Sequence, residues 1–264
     1  MQWVDTDTRE AYRDRGGHAG YGECDIEYRF NRHGYRCPDF EIAASLRVLT
    51  IGCSYVMGVG LREEELFHER FASRLRERTA QSVVSWNLGL PGASNDYITR
   101  LLSLAVPYLD PHIVLVHFTH AGRREYASAE GGLASYTPGF RPTDRVGKSI
   151  CRHFEALSSD VDNRLNFFRN YKAAAGLLAG RCWLFSTMEP EILHELAAHV
   201  DMRRFAGTLV PIDRGRDHAH PGPRSHEALM NAYWGRFIEQ HDGLLGRSPP
   251  ITRAALDSPT RAKR

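Results

Sequence analysis

A serine and an Asp/His pair stand at two places in the chain where a nucleophilic catalytic site could form. Ser54 follows the apolar run at residues 46–51, and Asp217 precedes His220 by three residues in a late segment. A serine hydroxyl is a weak nucleophile until a base removes its proton, and a histidine oriented by a carboxylate can do this. The residues therefore predict Ser54 as nucleophile, His220 as general base and Asp217 as its orienting partner.

These residues also have other readings. A serine after a strand often caps the next helix, and an Asp among histidines is common on surface loops. Cys53 could replace Ser54 as nucleophile, although side-chain alternation directs it away from Ser54. Together with Asp217, several histidines could instead bind a metal ion: His117, His120, His218, His220 and His226. The triad already accounts for Asp217 and His220, so we expect neither a metal site nor a cofactor.

Short β-rich runs alternate with amphipathic helices along most of the chain. Strands are predicted at residues 46–51, 82–88, 112–118, 182–185 and 205–212. This alternation predicts a three-layer α/β/α sandwich with a central, mostly parallel five-stranded sheet of flavodoxin-like order 2-1-3-4-5. Ligands then bind beyond the carboxyl ends of the first and third strands, where the strand order reverses. Ser54 follows the first strand and residues 119–125 follow the third, so topology and chemistry predict the same site.

One domain is expected from 264 residues, of which 42% are hydrophobic. We expect residues 1–40 to form an N-terminal arm or extended segment and residues 41–245 to form the domain that holds the triad. Residues 246–264 are predicted to be a disordered basic tail. Residues 127–150, rich in Gly, Ser, Pro and Thr, predict a long excursion over the site that could serve as a lid.

The composition argues against several classes of protein. The 34 basic and 32 acidic residues nearly cancel, so no global field favours nucleic acid. No apolar run reaches the roughly 18 residues of a membrane span, and the first residues are polar and do not resemble a signal peptide. The five cysteines are scattered without a Cys-x-x-Cys pair. We therefore expect a cytoplasmic protein without disulfides.

The chain resembles the SGNH hydrolases, also called the GDSL-type esterases and lipases. Four blocks in order carry the resemblance: Asn31, Gly34, Tyr35 and Arg36, as often found before the first strand in bacterial members; residues 52–55 with Gly58 and Gly60; residues 87–95; and residues 216–222. The resemblance spans about residues 30–240. It implies the SGNH hydrolase fold, the Ser54–His220–Asp217 triad, and an oxyanion hole formed by the backbone N–H groups of Ser54 and Gly92.

The third block departs from the family pattern. Members usually place an Asn side chain in the oxyanion hole from this block, but residues 118–125 (Phe-Thr-His-Ala-Gly-Arg-Arg-Glu) contain no Asn. Loss of one such donor typically costs about 10²–10³ in rate. Thr119, His120, Arg123 and Asn95 are candidate substrate-binding residues at this site. Either His120, Thr119 or an arginine compensates for the missing donor, or the hole keeps only the Ser54 and Gly92 amides.

The resemblance implies hydrolysis of an ester or thioester through an acyl-enzyme. An acyltransferase that uses the same acyl-enzyme in biosynthesis is the second hypothesis, because a covering excursion would exclude water. A non-catalytic binding protein on this fold is the third, because of the missing Asn. We expect a small-molecule or carrier-bound acyl substrate; neither its identity nor the oligomeric state is specified by these residues.

Overall fold

Five parallel strands form a central sheet in the computed structural model, which describes residues 1–127, 132–139 and 141–245. The strands of these residues are β1 (Leu46–Gly52), β2 (Val83–Gly89), β3 (Ile113–Phe118), β4 (Arg124–Ala127), β5 (Leu133–Tyr136), β6 (Cys182–Thr187) and β7 (Phe205–Thr208). The order across the central sheet is β2-β1-β3-β6-β7, with every neighbouring pair parallel. The predicted α/β fold class and strand order are confirmed. A separate antiparallel hairpin contains β4 and β5.

Helices cover both faces of this sheet. In the described chain they are α1 (Arg9–Asp14), α2 (Ser54–Met57), α3 (Phe67–Thr79), α4 (Asn95–Leu109), α5 (Arg145–Leu157), α6 (Asp160–Leu177), α7 (Glu191–Leu196) and α8 (Pro223–Leu245). Short 3₁₀ turns lie at Glu63–Glu65, Ala197–His199 and Met202–Arg204. Helices α4 and α6 pack on one face, and α3 and α8 pack on the other.

The strands are apolar on both faces, as buried parallel strands must be. Along β1, Leu49 and Ile51 pack into the core with α4 and α6, whereas Leu46 and Val48 pack with α3 and α8. Alternation of side chains along the strand explains this division. The sheet is therefore a rigid, two-sided support for the loops at its carboxyl edge.

The carboxyl ends of the central strands lie at one level. Gly52 pairs with Gly89 at the ends of β1 and β2, and Phe118 pairs with Thr187 at the ends of β3 and β6. The loops after these four strands therefore emerge at the same edge, on either side of the point where strand order reverses. This register positions the residues predicted to do chemistry.

Residues 1–40 pack against the domain. They contain α1 and a small apolar cluster in which Ile26 and Tyr28 contact Leu61 and Leu66. A turn lies at residues 31–34, since Gly34 N–H donates to Asn31 O at 2.9 Å. In the following segment Arg36 is buried, and its guanidinium donates to three backbone carbonyls at the end of α2 and in the loop after it, those of Met57, Gly58 and Leu61.

The excursion at residues 127–150 has regular structure in its described part. Strand β5 pairs with β4, Asp144 caps the first turn of α5, and Tyr136 stacks on Phe154. Neither β5 nor α5 was predicted from the sequence. Strand β5 has only four residues, and α5 begins close to the end of the segment, so neither gives a clear periodic pattern there. The expected tail at residues 246–264 lies outside the described residues. Within those that are described, no helix combines the length and apolar character that crossing a membrane requires.

A buried ion pair joins the N-terminal arm to the loop that carries Asp217. Arg216 is 0% exposed and Asp7 is 1% exposed, and their closest contact is 2.7 Å. Arg216 also lies over the ring of Trp3, 4.1 Å from its centroid. Tyr28 donates its hydroxyl to Asp7 at 2.6 Å. The arm is thus fixed at the loop by charge and by aromatic contacts.

Asp7→Ala is expected to lower the free energy of unfolding by about 3–5 kcal/mol, because it leaves the Arg216 charge buried without its carboxylate. Chemical denaturation followed by circular dichroism measures this change. Glu10→Ala, at an exposed position of α1, is the matched control and should change stability by less than about 0.5 kcal/mol. Equal stability of the two variants would contradict the role given to this ion pair.

Candidate active site

Ser54 lies at the carboxyl end of β1, where the chain turns directly into a short helix. Strand β1 ends at Gly52, Cys53 has extended backbone, and Ser54 is the first residue of α2. The Cys53 side chain is fully buried, with its sulfur 4.0 Å from Met188 Sδ. Cys53 therefore points into the core, while Ser54 is presented at the edge of the sheet.

Ser54, His220 and Asp217 form a continuous chain of hydrogen bonds. His220 Nε2 lies 2.8 Å from Ser54 Oγ, and His220 Nδ1 lies 2.6 Å from Asp217 Oδ2. Because Asp217 accepts from the Nδ1–H, the Nε2 atom is left to accept the serine proton. The three residues that the sequence proposed as a triad are thus brought together across 166 positions of the chain.

A tight loop brings the side chains of Asp217 and His220 together. Asp217 Oδ1 accepts the backbone N–H groups of Ala219 and His220 at 3.1 and 3.0 Å. His218 has φ +56°, a left-handed conformation that asparagine, aspartate and histidine adopt more readily than most residues. The side chain of Asp217 therefore folds back over its own loop, and the imidazole three residues later reaches its other oxygen.

Gly60 makes room for this loop. Its φ is +79°, and a Cβ there would lie 3.0 Å from both Arg216 N and Asp217 Oδ1. The carbonyl of Gly60 accepts the Arg216 N–H at 2.8 Å. Glycine is thus required by conformation and by space. Arg36 binds the carbonyls of Gly58 and Leu61, which lie before and after Gly60 in the chain. The block that contains Arg36 therefore helps to position the loop of Asp217.

The Asp217 carboxylate is ionised although it is buried. Burial by itself opposes ionisation, but hydrogen bonds from His220 and Thr6 and the charge of His220 outweigh it and lower the Asp217 pKa to about 2. The carboxylate is 2% exposed. It therefore remains charged near neutral pH and can stabilise an imidazolium that forms beside it.

Aromatic rings support the imidazole of His220. Tyr55 meets it edge-on at 5.7 Å, and His117 stacks on Tyr55 at 5.9 Å. His117 Nδ1 lies 2.7 Å from Ser186 Oγ, and burial, followed by the charge of Arg123, lowers the His117 pKa to about 3. His117 is therefore a neutral part of the scaffold beneath the site.

The other histidines have separate partners. His120 bonds to Glu189, His218 Nε2 lies 3.0 Å from Gly17 O, and His226 Nδ1 accepts the Phe67 N–H at 3.2 Å. Over the described ranges, no group of three or more His, Cys, Asp or Glu side chains is arranged to hold a metal ion.

The loop after β2 carries Gly92, the predicted second oxyanion donor. Leu90 N–H donates to Gly52 O at 3.1 Å, which ties this loop to the end of β1. Gly92 has φ +73°, with open space where a Cβ would point, and Ser94 caps α4 by accepting the Tyr97 N–H. The loop is therefore held beside Ser54 with an unobstructed backbone at Gly92.

Two of the four candidate substrate-binding residues are fully buried. The Asn95 side chain accepts the Thr119 N–H at 2.9 Å and donates to Thr119 O at 3.1 Å, and both residues are 0% exposed. Their burial favours a scaffold role over direct contact with substrate: Asn95 joins the start of α4 to the end of β3. His120, with a half-exposed side chain, and the partly exposed Arg123 follow β3 at the carboxyl edge of the sheet.

Glu189 and Thr6 belong to the site although sequence reasoning did not select them. Glu189 bonds to His120 and accepts the Ala121 N–H at 2.8 Å; burial opposes its ionisation, but these bonds lower its pKa. Its position just after β6 was a usable signal, because the carboxyl end of that strand lies at the same edge. Thr6 donates its hydroxyl to Asp217 Oδ2 at 2.6 Å. No motif or periodicity marks it.

Several solved structures similar to this chain carry esterase or lipolytic names. The chain is 13% identical to TesA, covering 73% of this chain and 98% of that one, with a TM-score of 0.48. A family 3 carbohydrate esterase of Clostridium thermocellum is 12% identical over 76% and 99% of the two chains, with a TM-score of 0.46. A lipolytic G-D-S-L family protein of Veillonella parvula is 8% identical over 72% and 97%, with a TM-score of 0.41.

No protein-family model matches the sequence, and no curated protein matches it significantly. At identities this low, a likeness between structures concerns the fold. What the chain does must therefore be argued from its own residues.

Asp217→Asn is expected to reduce any Ser54-dependent reaction by about 10³–10⁴-fold, because an amide favours the wrong tautomer of His220. The rate of serine modification by a fluorophosphonate measures it. Asp213→Asn, in the same loop but bonded to Ser225 and Arg224, is the control and should stay within a few-fold of wild type. A similar loss in both variants would indicate loop disruption instead.

Proposed function

We propose that this chain is a divergent serine hydrolase of the SGNH type that cleaves an ester or thioester. The single observation that carries the proposal is the relay from Ser54 through His220 to Asp217, with contacts of 2.8 and 2.6 Å. A helix-capping serine or an ordinary surface Asp does not require this alignment. The expected substrate is a small-molecule or carrier-bound acyl group.

In the first half of the reaction, Ser54 Oγ attacks the acyl carbonyl carbon while His220 Nε2 takes the serine proton. The carbonyl π electrons move to oxygen, and the N–H groups of Ser54 and Gly92 stabilise the resulting oxyanion. The intermediate collapses, the bond to the leaving oxygen or sulfur breaks, and His220 gives the proton to the departing alcohol or thiol. Asp217 stays ionised throughout and steadies the imidazolium.

In the second half, water attacks the acyl-enzyme carbonyl and gives its proton to His220 Nε2. Collapse of this second intermediate breaks the bond to Ser54 Oγ, the proton returns to the serine, and a carboxylic acid leaves. No redox partner or cofactor enters either half of the reaction.

Arg123 is proposed as the donor that replaces the missing third-block Asn. Its Nη1 donates to Thr119 Oγ1 at 2.8 Å and lies 3.3 Å from Ala93 O, so the guanidinium spans the end of β3 and the loop that carries Gly92. Arg123 is partly exposed, and its guanidinium adds a positive charge at this place, which suits a developing oxyanion.

Fluorophosphonate treatment followed by intact-protein mass measurement tests the nucleophile. Wild type should gain one adduct, and Ser54→Ala and His220→Ala should gain none while keeping the wild-type circular dichroism spectrum. Cys53→Ser is the matched control, since its sulfur is buried away from the site, and it should still be labelled. Absence of an adduct on folded wild type, or its persistence in Ser54→Ala, would overturn the proposal.

Arg123→Ala is expected to lower the labelling rate by about 10²–10³-fold, the usual effect of removing one oxyanion donor. Arg123→Lys should fall between this variant and wild type, because it keeps the charge but loses the planar fork. Arg169→Ala, at an exposed position of α6, should react like wild type. Unchanged labelling of Arg123→Ala would remove Arg123 from the oxyanion site.

A further inference from the structure

We infer that Thr6 is a positioning residue of the active site, whose hydroxyl holds the Asp217 carboxylate in the orientation that directs His220 toward Ser54. The inference rests on the proposed serine hydrolase activity. Thr6 Oγ1 donates to Asp217 Oδ2 at 2.6 Å and lies 3.3 Å from His220 Nδ1. The same Oδ2 atom receives the Nδ1–H of His220 at 2.6 Å.

Among the described residues, four groups donate to the Asp217 carboxylate, and they come from two parts of the chain. The backbone N–H groups of Ala219 and His220 bind Oδ1, and the His220 ring binds Oδ2; all three come from the loop of Asp217 itself. Thr6 lies 211 positions away along the chain. The Thr6 hydroxyl therefore binds Oδ2, the same oxygen that accepts from the imidazole, although Thr6 is not part of that loop. The orientation of the carboxylate thus depends on two separate segments.

The arm presents Thr6 at the tip of a tight turn. Val4 and Asp7 exchange both backbone hydrogen bonds at 3.0 Å, and Asp5 between them has φ +53°. The next residue after Thr6 is Asp7, which forms the buried ion pair with Arg216, the residue before Asp217. Consecutive residues of the arm thus bind consecutive residues of the catalytic loop, and the ion pair sets the register of the Thr6 contact.

Because Thr6 is accessible to solvent, alanine and valine at this position are expected to have different effects. Thr6 is exposed, whereas Asp217 is buried. In Thr6→Ala, water can occupy the vacated space and donate to Oδ2 in place of the hydroxyl. In Thr6→Val, a methyl group fills that space and leaves Oδ2 without this donor. A hydrogen-bonding role therefore predicts that valine is more harmful than alanine.

The decisive experiment compares Thr6→Val, Thr6→Ala and Thr6→Ser with wild type by the rate of fluorophosphonate labelling between pH 5 and 9. Thr6→Val should react about tenfold more slowly, in line with the loss of a hydrogen bond to a charged group. Its acid limb should move to higher pH, because a carboxylate without the Thr6 donor holds the imidazolium more strongly. Thr6→Ser should restore both properties, and Thr6→Ala should be intermediate.

Thr8→Val is the matched control, because Thr8 caps α1 in the same arm and accepts the Ala11 N–H instead of contacting the triad. Its rate and pH profile should match those of wild type. A second readout is the downfield proton signal of His220 Nδ1–H, assigned by its loss in His220→Ala. Thr6→Val should shift this signal, whereas Thr8→Val should not.

The outcomes separate the inference from the proposed function. Wild type that does not react with the probe overturns the serine hydrolase, and the proton signal then shows whether Thr6 still orients His220. Reactive wild type with unchanged rate, pH profile and proton signal in Thr6→Val overturns the role of Thr6 alone. Equal slowing in Thr6→Val, Thr6→Ser and Thr8→Val also overturns it, because the arm would then act only through packing.

Discussion

A charged carboxylate buried at the carboxyl edge of the sheet is the constraint around which this site is built. Asp217 is 2% exposed, and an ion removed from water is tolerated only when hydrogen bonds replace its hydration. The left-handed backbone at His218 supplies two of those bonds by closing the loop. Gly60 leaves the space that the loop needs, and Thr6 adds a donor from the arm. Each of these local features follows from keeping one negative charge beside one imidazole.

The sheet determines where this charge can be useful. In the order β2-β1-β3-β6-β7, the loops after β1 and β3 diverge to opposite sides and leave a crevice between them. Ser54 follows β1 and Arg123 follows β3, and Arg123 also binds the Ala93 carbonyl in the loop after β2 that carries Gly92. The loop of Asp217 and His220 completes the arrangement, with His220 Nε2 reaching Ser54 Oγ.

Periodicity and motif order foretold most of the central domain, because buried parallel strands and amphipathic helices have strong patterns. Ser54, Asp217 and His220 were recognisable since their chemistry demands particular residue types at the ends of elements. Asn95 stays a candidate from the sequence, but a single sequence did not reveal that its amide joins two backbone segments that are distant along the chain. Glu189 could have been predicted as Ser54 was, because it also follows the carboxyl end of a central strand.

The arm could not have been foretold in this way. Thr6, Asp7 and Arg216 act through contacts more than 200 positions apart, and such pairs leave no periodic trace in one sequence. The four-residue strand β5 was missed for a related reason, since too few residues repeat for a pattern to emerge. Local pattern thus identifies the scaffold and the reactive groups, while the long-range contacts that fix their orientation become visible only in the fold.

The contacts between residues 4–7 and residues 216–217 affect the order in which the protein is expected to fold. Closing a loop of about two hundred residues carries an entropic penalty that local contacts do not share, so such contacts tend to form late in folding. During synthesis the arm emerges first, yet its partners are made only after the whole sheet. We therefore expect the sheet scaffold to form before the Thr6 and Asp7 contacts that fix the Asp217 loop. Acquisition of reactivity would mark the end of folding rather than the formation of the core.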